Sequence, residues 1–220
     1  MIVKLLFFLK KLFLDKNEKK FNNNISFLEF KKNRRTKKKN ILLVIPNDYA
    51  YVCYYYSIFN DKFSNSNLYG YWPYPIHVKR KRIFINLNEI KSNLYFYFIK
   101  RKFFKLYKYL GLNNLVSLFD LKEKLINKNE EKKIILLAKK IFNNLNSKKE
   151  ILKLNLLGID CGDLIYDTYI RFRNKPTVDI KDKFLEKIIF ISLLQIICFK
   201  KMQKKYNFKE LYTSYATYIH

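Results

Sequence analysis

The sequence predicts an α/β fold with a mainly parallel sheet, and three observations carry that prediction. Ile41-Leu42-Leu43-Val44-Ile45 is an unbroken aliphatic run closed by Pro46-Asn47-Asp48, the pattern of a strand buried on both faces. Strand-like and helix-like segments then alternate along the chain. Glycine is scarce, four in 220 residues, yet two of the four fall at Gly158 and Gly162, between an apolar stretch and an amphipathic one. Glycine used so sparingly marks places where backbone geometry or close approach requires it.

The elements follow in order. Met1 to Leu14 is apolar but interrupted by Lys4, Lys10 and Lys11, and no small-residue cleavage site follows, so it reads as an amphipathic segment and not an export signal. With the basic run Lys31 to Lys39 it forms an N-terminal extension over 1–39, ahead of a domain over 40–220. After the strand Ile41 to Ile45, the aromatic stretch Tyr49 to Asn60 reads as a helix. Ser64 to Pro75, with Ser-Asn-Ser-Asn, Gly70 and Trp72-Pro73-Tyr74-Pro75, reads as a loop. Ile83-Phe84-Ile85 is a short strand, and Ser92 to Leu110 a helix closed by Gly111. Leu115 to Phe119 is a strand. Leu121 to Leu145 is a lysine-rich helix whose Ile134, Leu137, Ala138, Ile141 and Leu145 form a helical stripe.

Ser147 and Glu150 have capping-box spacing, which starts a short helix there. Leu156 to Cys161 is the next expected strand, Asp163 to Phe172 a helix, and Lys175-Pro176-Thr177 a break. Lys181 to Tyr206 is the longest helix, and Leu211 to Ser214 a last strand. The apolar run Ile188 to Phe199 falls short of the roughly 20 residues a transmembrane helix needs and reads as a buried core helix.

A formal charge of +27 comes from 45 Lys and Arg against 18 Asp and Glu. It admits two readings, an anionic partner such as nucleic acid or a membrane surface, or compositional drift that enriches Lys, Asn, Ile, Phe and Tyr at the expense of Arg, Ala, Gly and Pro. Cys53, Cys161 and Cys198 lie far apart, which argues for a reducing compartment without a disulfide framework or zinc knuckle. With His77 and His220 as the only histidines, a histidine-built metal site or Ser-His-Asp triad is not expected within one chain.

No glycine-rich phosphate loop and no Asp-x-Asp metal motif occurs, and no metal site is expected around Asp160 and Asp163. Asp163, Asp167 and Arg171 are spaced by four and share one helix face. They fit either an acid complementing the helix dipole with an ion pair behind it, or a turn presenting two carboxylates to a polyhydroxylated or cationic ligand next to Gly162. Thr213-Ser214 and Asn47 stand at the ends of strands, where α/β proteins place ligand crevices and where turn-forming roles are equally at home. Trp72-Pro73-Tyr74-Pro75 with His77 reads as an aromatic platform or as the cover of a core edge. Lys100 to Lys108 reads as a phosphate- or lipid-binding helix or as a solvated face.

The series Gly158-Ile159-x-x-Gly162-Asp163-Leu164-Ile165-Tyr166-Asp167-Thr168-Tyr169-Ile170-Arg171, followed by Pro176-Thr177-Val178-Asp179-Ile180, resembles a segment of bacterial surface-carbohydrate (capsule or lipopolysaccharide) biosynthesis proteins. Lys105 to Gly111 and Thr213 to Ile219 resemble two further stations in the same order, so the likeness spans about 40–220. The resemblance implies a Rossmann-like three-layer domain, the N-terminal, acceptor-side half of a GT-B glycosyltransferase. The candidate substrate-binding residues are Gly162, Asp163, Tyr166, Asp167, Arg171, Thr213, Ser214 and Asn47. A nucleotide-sugar donor is expected only with a C-terminal half, and the domain is expected to be truncated at its C-terminal end. The implied partners are a glycan or lipid-linked acceptor at the inner face of the cytoplasmic membrane, an anionic membrane surface, and a separate C-terminal half. A nucleic-acid-binding protein and a membrane-surface adaptor without catalysis are the alternatives.

Overall fold

The computed structural model describes residues 16–24, 39–45, 66–72, 107 and 112–213. These fall into two compact units, one built from 16–24, 39–45, 66–72, 107, 112–116 and 208–213, the other from 117–207.

The first unit contains helix α1 (Lys16–Asn24) and a four-stranded, mainly parallel sheet of β1 (Lys39–Val44), β2 (Ser66–Trp72), β3 (Leu112–Ser117) and β6 (Glu210–Tyr212), in the spatial order β3-β2-β1-β6. β1 is parallel to both neighbours, with Ile41 opposite Leu68 on one side and Glu210 on the other. Ile41, Leu42 and Leu43 are all buried, which is why the strand reads as a continuous aliphatic run: both faces are covered and no residue can be polar. The ladder continues past the strands, with Ile45 N donating to Tyr71 O (2.7 Å) and Lys209 N to Asn40 O (2.9 Å). At the amino ends Lys39 and Glu210 form an ion pair, and Asn67 Nδ2 donates to Asn40 Oδ1 (3.0 Å).

β2 occupies the segment expected to be a loop. Its Leu68 and Tyr71 are buried, and a side chain at Gly70 would meet Leu115 Cδ1 at 2.8 Å and Ile45 and Leu112 at 3.2 Å. The glycine that looked like a turn signal is a close-approach position inside a central strand. β3 runs Leu112–Ser117, so Phe119, expected to end a strand, lies in a helix instead. Ser117 is the reason: its side chain caps the next helix at Asp120 N, while Asp120 returns to Ser117 N (2.7 Å).

The second unit is helical: α2 (Leu118–Leu125), α3 (Lys128–Asn143), α4 (Lys148–Leu152), α5 (Gly162–Arg173) and α6 (Lys183–Tyr206), with a small hairpin of β4 (Asn155–Leu156) and β5 (Ile159–Asp160). The single lysine-rich helix expected over Leu121 to Leu145 is two helices, because Asn127 caps α3 in a reciprocal box with Glu130 (2.9 and 3.0 Å). Ser147 caps α4 as expected, accepting from Glu150 N (3.3 Å), but the returning bond of a capping box goes one residue earlier, from Asn146 N to Glu150 Oε2 (3.0 Å). α6 spans 24 residues and is the spine of the unit, packing against α2, α3 and α5 through Leu185, Ile188, Ile189, Leu193, Leu194, Cys198 and Met202. No helix among the described residues is long and apolar enough to cross a membrane.

The strand expected over Leu156 to Cys161 is a two-stranded antiparallel hairpin, outside the parallel sheet. Leu157 (φ 55°) and Gly158 (φ 87°) take the left-handed conformations of a type I′ turn, closed by Gly158 N donating to Asn155 Oδ1 (2.9 Å). The helix expected over Tyr49 to Asn60, the strand Ile83 to Ile85, the helix Ser92 to Leu110 apart from Tyr107, the Trp72 to Tyr74 platform beyond β2, and the amphipathic Met1 to Leu14 lie outside the described residues.

Candidate functional site

The residues singled out in the sequence separate into two places. In the second unit, Gly162 opens α5, and Asp163, Tyr166, Asp167 and Arg171 follow along it. Gly162 is buried, and a Cβ there would fall 2.5 Å from the Leu152 carbonyl oxygen and closer still to that of Ile151. Its missing side chain is therefore filled by the backbone of α4, not by the approach of a ligand. Cys161 precedes it without a side-chain cap, its N–H donating to Leu154 O (3.1 Å) and its carbonyl accepting from Ile165 (3.0 Å). Asp163, Asp167 and Arg171 are exposed on one face of α5, as their spacing of four requires. Because Leu156 to Asp160 forms a hairpin, this face does not stand at the carboxyl end of a strand of the parallel sheet.

Tyr166 is half-buried, and its hydroxyl lies 3.1 Å from Thr177 Oγ1. Thr177 belongs to the loop 175–180, which with Lys148 lines an open cleft of about 350 Å³. The loop is further held by Asp179 Oδ1, which accepts from Lys181 N (3.0 Å). Tyr166 thus shapes a cleft wall from behind, and Lys148 and Lys175 are among the residues that line the cleft.

Toward the carboxyl end of the same helix lies a second cluster, built on Asp182. Asp182 caps α6 by accepting from Phe184 N (2.9 Å), takes a two-pronged bond from Arg173 (Nε 2.8 Å, the terminal nitrogen 2.6 Å), and accepts from the fully buried Tyr169 hydroxyl (2.8 Å). Burial pushes the Asp182 carboxyl up, but the bonds from Arg173, Phe184 and Tyr169 outweigh it and hold the group at about 2. Burial, and then the bond to Asp182, raise the Tyr169 phenol above its ordinary value. Arg173 also lies over the Phe184 ring, 4.9 Å from its centroid. With every partner satisfied internally, the cluster joins α5 to α6. The only sequence signal was the helix-start pattern at Asp182.

In the first unit, Thr213 follows β6, and the register that sets Leu43 opposite Tyr212 brings it to the carboxyl end of β1. Asn47 lies two residues beyond Ile45 and Ser214 one beyond Thr213; both are outside the described residues. β1 and β6 are neighbours on the side of β1 away from β2, so chain order reverses direction across the sheet between them. In open α/β sheets that is where a crevice forms outside the strand ends.

No group of three or more His, Cys, Asp or Glu able to hold a metal ion occurs among the described residues. Cys161 and Cys198 are buried thiols, and burial raises both, Cys198 to about 11.

The class these features define is an α/β protein whose parallel sheet is accompanied by a helical unit. Compared with protein-family models, curated proteins and solved structures, the chain matches none.

Proposed function

We propose that this chain is the acceptor-side part of a glycosyltransferase-like enzyme of bacterial surface-polysaccharide biosynthesis, with a Rossmann-like first unit that binds a glycan or lipid-linked acceptor at the carboxyl ends of β1 and β6. The observation that carries the reading is the strand order β3-β2-β1-β6 with β1 parallel to both neighbours. It is the order of one side of a doubly wound sheet together with the first strand across its switch point. Thr213 stands at that point, and Asn47 and Ser214 follow the same two strand ends in sequence. The Thr213 hydroxyl suits a sugar, whose own hydroxyls both donate and accept. On this reading the nucleotide-sugar donor binds a C-terminal half of the enzyme. The +27 charge favours a phosphate-bearing acceptor at an anionic membrane surface.

The test is binding to a panel of nucleotide-sugars and lipid-linked glycan acceptors. A Thr213→Ala/Ser214→Ala variant is expected to bind an acceptor about tenfold more weakly, the loss of one to two net hydrogen bonds, while Asp163→Asn/Asp167→Asn binds as the parent does. The reverse pattern moves the site to α5 and refutes the sheet-edge assignment. Failure of the parent to bind any of the panel, with length-dependent and salt-sensitive binding to RNA or DNA in its place, refutes the carbohydrate reading.

A further inference from the structure

The β4–β5 hairpin has features that its packing does not account for. Leu157 holds φ 55°, a conformation that side chains other than Asn, Asp and Gly rarely adopt. Its side chain gains little in return, being 42% exposed, and Ile159 on the other side of Gly158 is 43% exposed. An Asn-Gly pair makes the same turn without strain and without apolar exposure. The hairpin is anchored by Leu156, which pairs with Ile159 in register and is itself buried. The two aliphatic side chains are therefore displayed from a fixed base. The same stretch exposes Leu152 at the end of α4.

A cation stands against this tip. Lys200 Nζ donates to the Leu157 carbonyl oxygen (2.7 Å), which sets an ammonium group directly beside it. Lys204 lies one turn further along the same face of α6, and from Lys187 to Tyr206 the helix contains no acid. Lys153, the exposed C-cap of α4, precedes the hairpin. The nearest carboxylates in sequence are at the hairpin base, not its tip: Asp160, bonded to Asn155 Nδ2 (2.6 Å), and Asp163 in the first turn of α5. An apolar projection with an ammonium group beside it, next to an acid-free stretch of helix, matches the lipid–water interface, where acyl chains receive the aliphatic groups and anionic headgroups the ammonium groups.

We propose that the β4–β5 hairpin tip, through Leu157 and Ile159 with Lys200 beside it, Lys204 one turn along α6 and Lys153 ahead of the hairpin, is a docking element for an anionic membrane surface. It does not depend on the acceptor chemistry proposed above, because a glycan-free vesicle suffices to reveal it.

The experiment is co-sedimentation of the full chain with vesicles of phosphatidylglycerol and phosphatidylcholine, and with phosphatidylcholine alone, at about 0.15 M salt. The parent is expected to bind the anionic vesicles, and Leu157→Asn/Ile159→Ser to bind them about tenfold more weakly. Leu157→Asn alone is expected to weaken binding without lowering the urea midpoint, since Asn relieves the left-handed backbone. Lys200→Gln/Lys204→Gln is expected to flatten the salt dependence. Parent-like binding by the double variant overturns the proposal, because the basic surface then acts without the tip. So does a lowered midpoint for Leu157→Asn, which makes the leucine structural. A concentration-dependent dimer in vesicle-free sedimentation, abolished by the same substitutions, overturns it in favour of a second copy of the chain.

Discussion

At Gly162 the absent side chain is what lets α4 and α5 meet. Any Cβ there overlaps the last carbonyls of α4, which are backbone atoms and cannot swing aside. Gly162→Ala is therefore expected to cost about 3 kcal/mol, at the upper end of overpacking penalties, read as a lowered urea midpoint by far-ultraviolet circular dichroism. A parent-like midpoint would show that α4 can move away freely and that the glycine serves something other than packing. Gly70 plays a related part inside β2, where Leu115, Ile45 and Leu112 occupy the space a side chain would take. Gly158 differs from both, since open space surrounds it and its φ of +87° is what the turn requires. Three glycines, equally visible in the sequence, thus answer to three different demands.

Among the elements, the junction of α5 and α6 is bound by chemistry that titrates. Asp182 sits at about 2 in the folded chain against an ordinary 3.8, so its contribution is complete above about pH 4 and is lost as pH falls toward 2. Tyr169 is shifted the other way: its raised value favours the neutral phenol, so that contribution is complete below about pH 10 and is lost as pH rises beyond it. Stability should form a plateau between these limits. Asp182→Asn is expected to make the acid limb shallower by on the order of 1 kcal/mol after solvent screening, and Tyr169→Phe to make the alkaline limb shallower. Urea midpoints measured across pH decide it, and an unchanged acid limb in Asp182→Asn would remove the carboxylate from this role. Capping explains the elements that came out differently from expectation. Ser117 and Asn127 each satisfy the free N–H groups of a helix start, ending β3 earlier and dividing one long lysine-rich helix into α2 and α3. Lys201 then closes α2, donating to Leu125 O (2.8 Å) and to Glu130 Oε1 (2.6 Å), and that bond holds the Glu130 carboxyl below its ordinary value.

For the whole molecule, the two units each have their own core: Ile41, Leu43, Leu68 and Leu115 in the first, the buried face of α6 in the second. The chain's single tryptophan, Trp72, belongs to β2 of the first unit, while most of the described helix belongs to the second. Urea unfolding followed by tryptophan fluorescence is expected to have a midpoint different from that followed by circular dichroism at 222 nm. Coincident curves would mean that the two cores melt as one cooperative system. Charge also divides unevenly, the first 38 residues carrying 12 lysines and arginines against three acids. This part of the basic character therefore lies in the sequence ahead of β1, separate from the lysine beside the hairpin tip.

Much of this organisation follows from local pattern. The run Ile41 to Ile45 marks β1 because both of its faces are covered, the Ser147 and Glu150 spacing marks α4 because capping is a local bond, and the apolar run in Lys183 to Tyr206 marks α6 because a helix buried on most sides has few polar positions. The identity of β2 as a strand, the hairpin at Leu156 to Ile159, and the Arg173–Asp182–Tyr169 cluster were decided only in three dimensions. β2 becomes a strand by pairing with β1, 27 residues earlier in the register, and by fitting Gly70 under side chains from two other segments. A short apolar stretch such as Leu156 to Cys161 has the same composition in a buried strand and in a hairpin, and only the packing of Leu156 and the left-handed turn separate the two. Sequence by itself determined which residues had to be buried or capped. Tertiary structure decided which partners buried them, because those partners are distant in the chain and their selection depends on shape and on hydrogen bonds that no local spacing encodes.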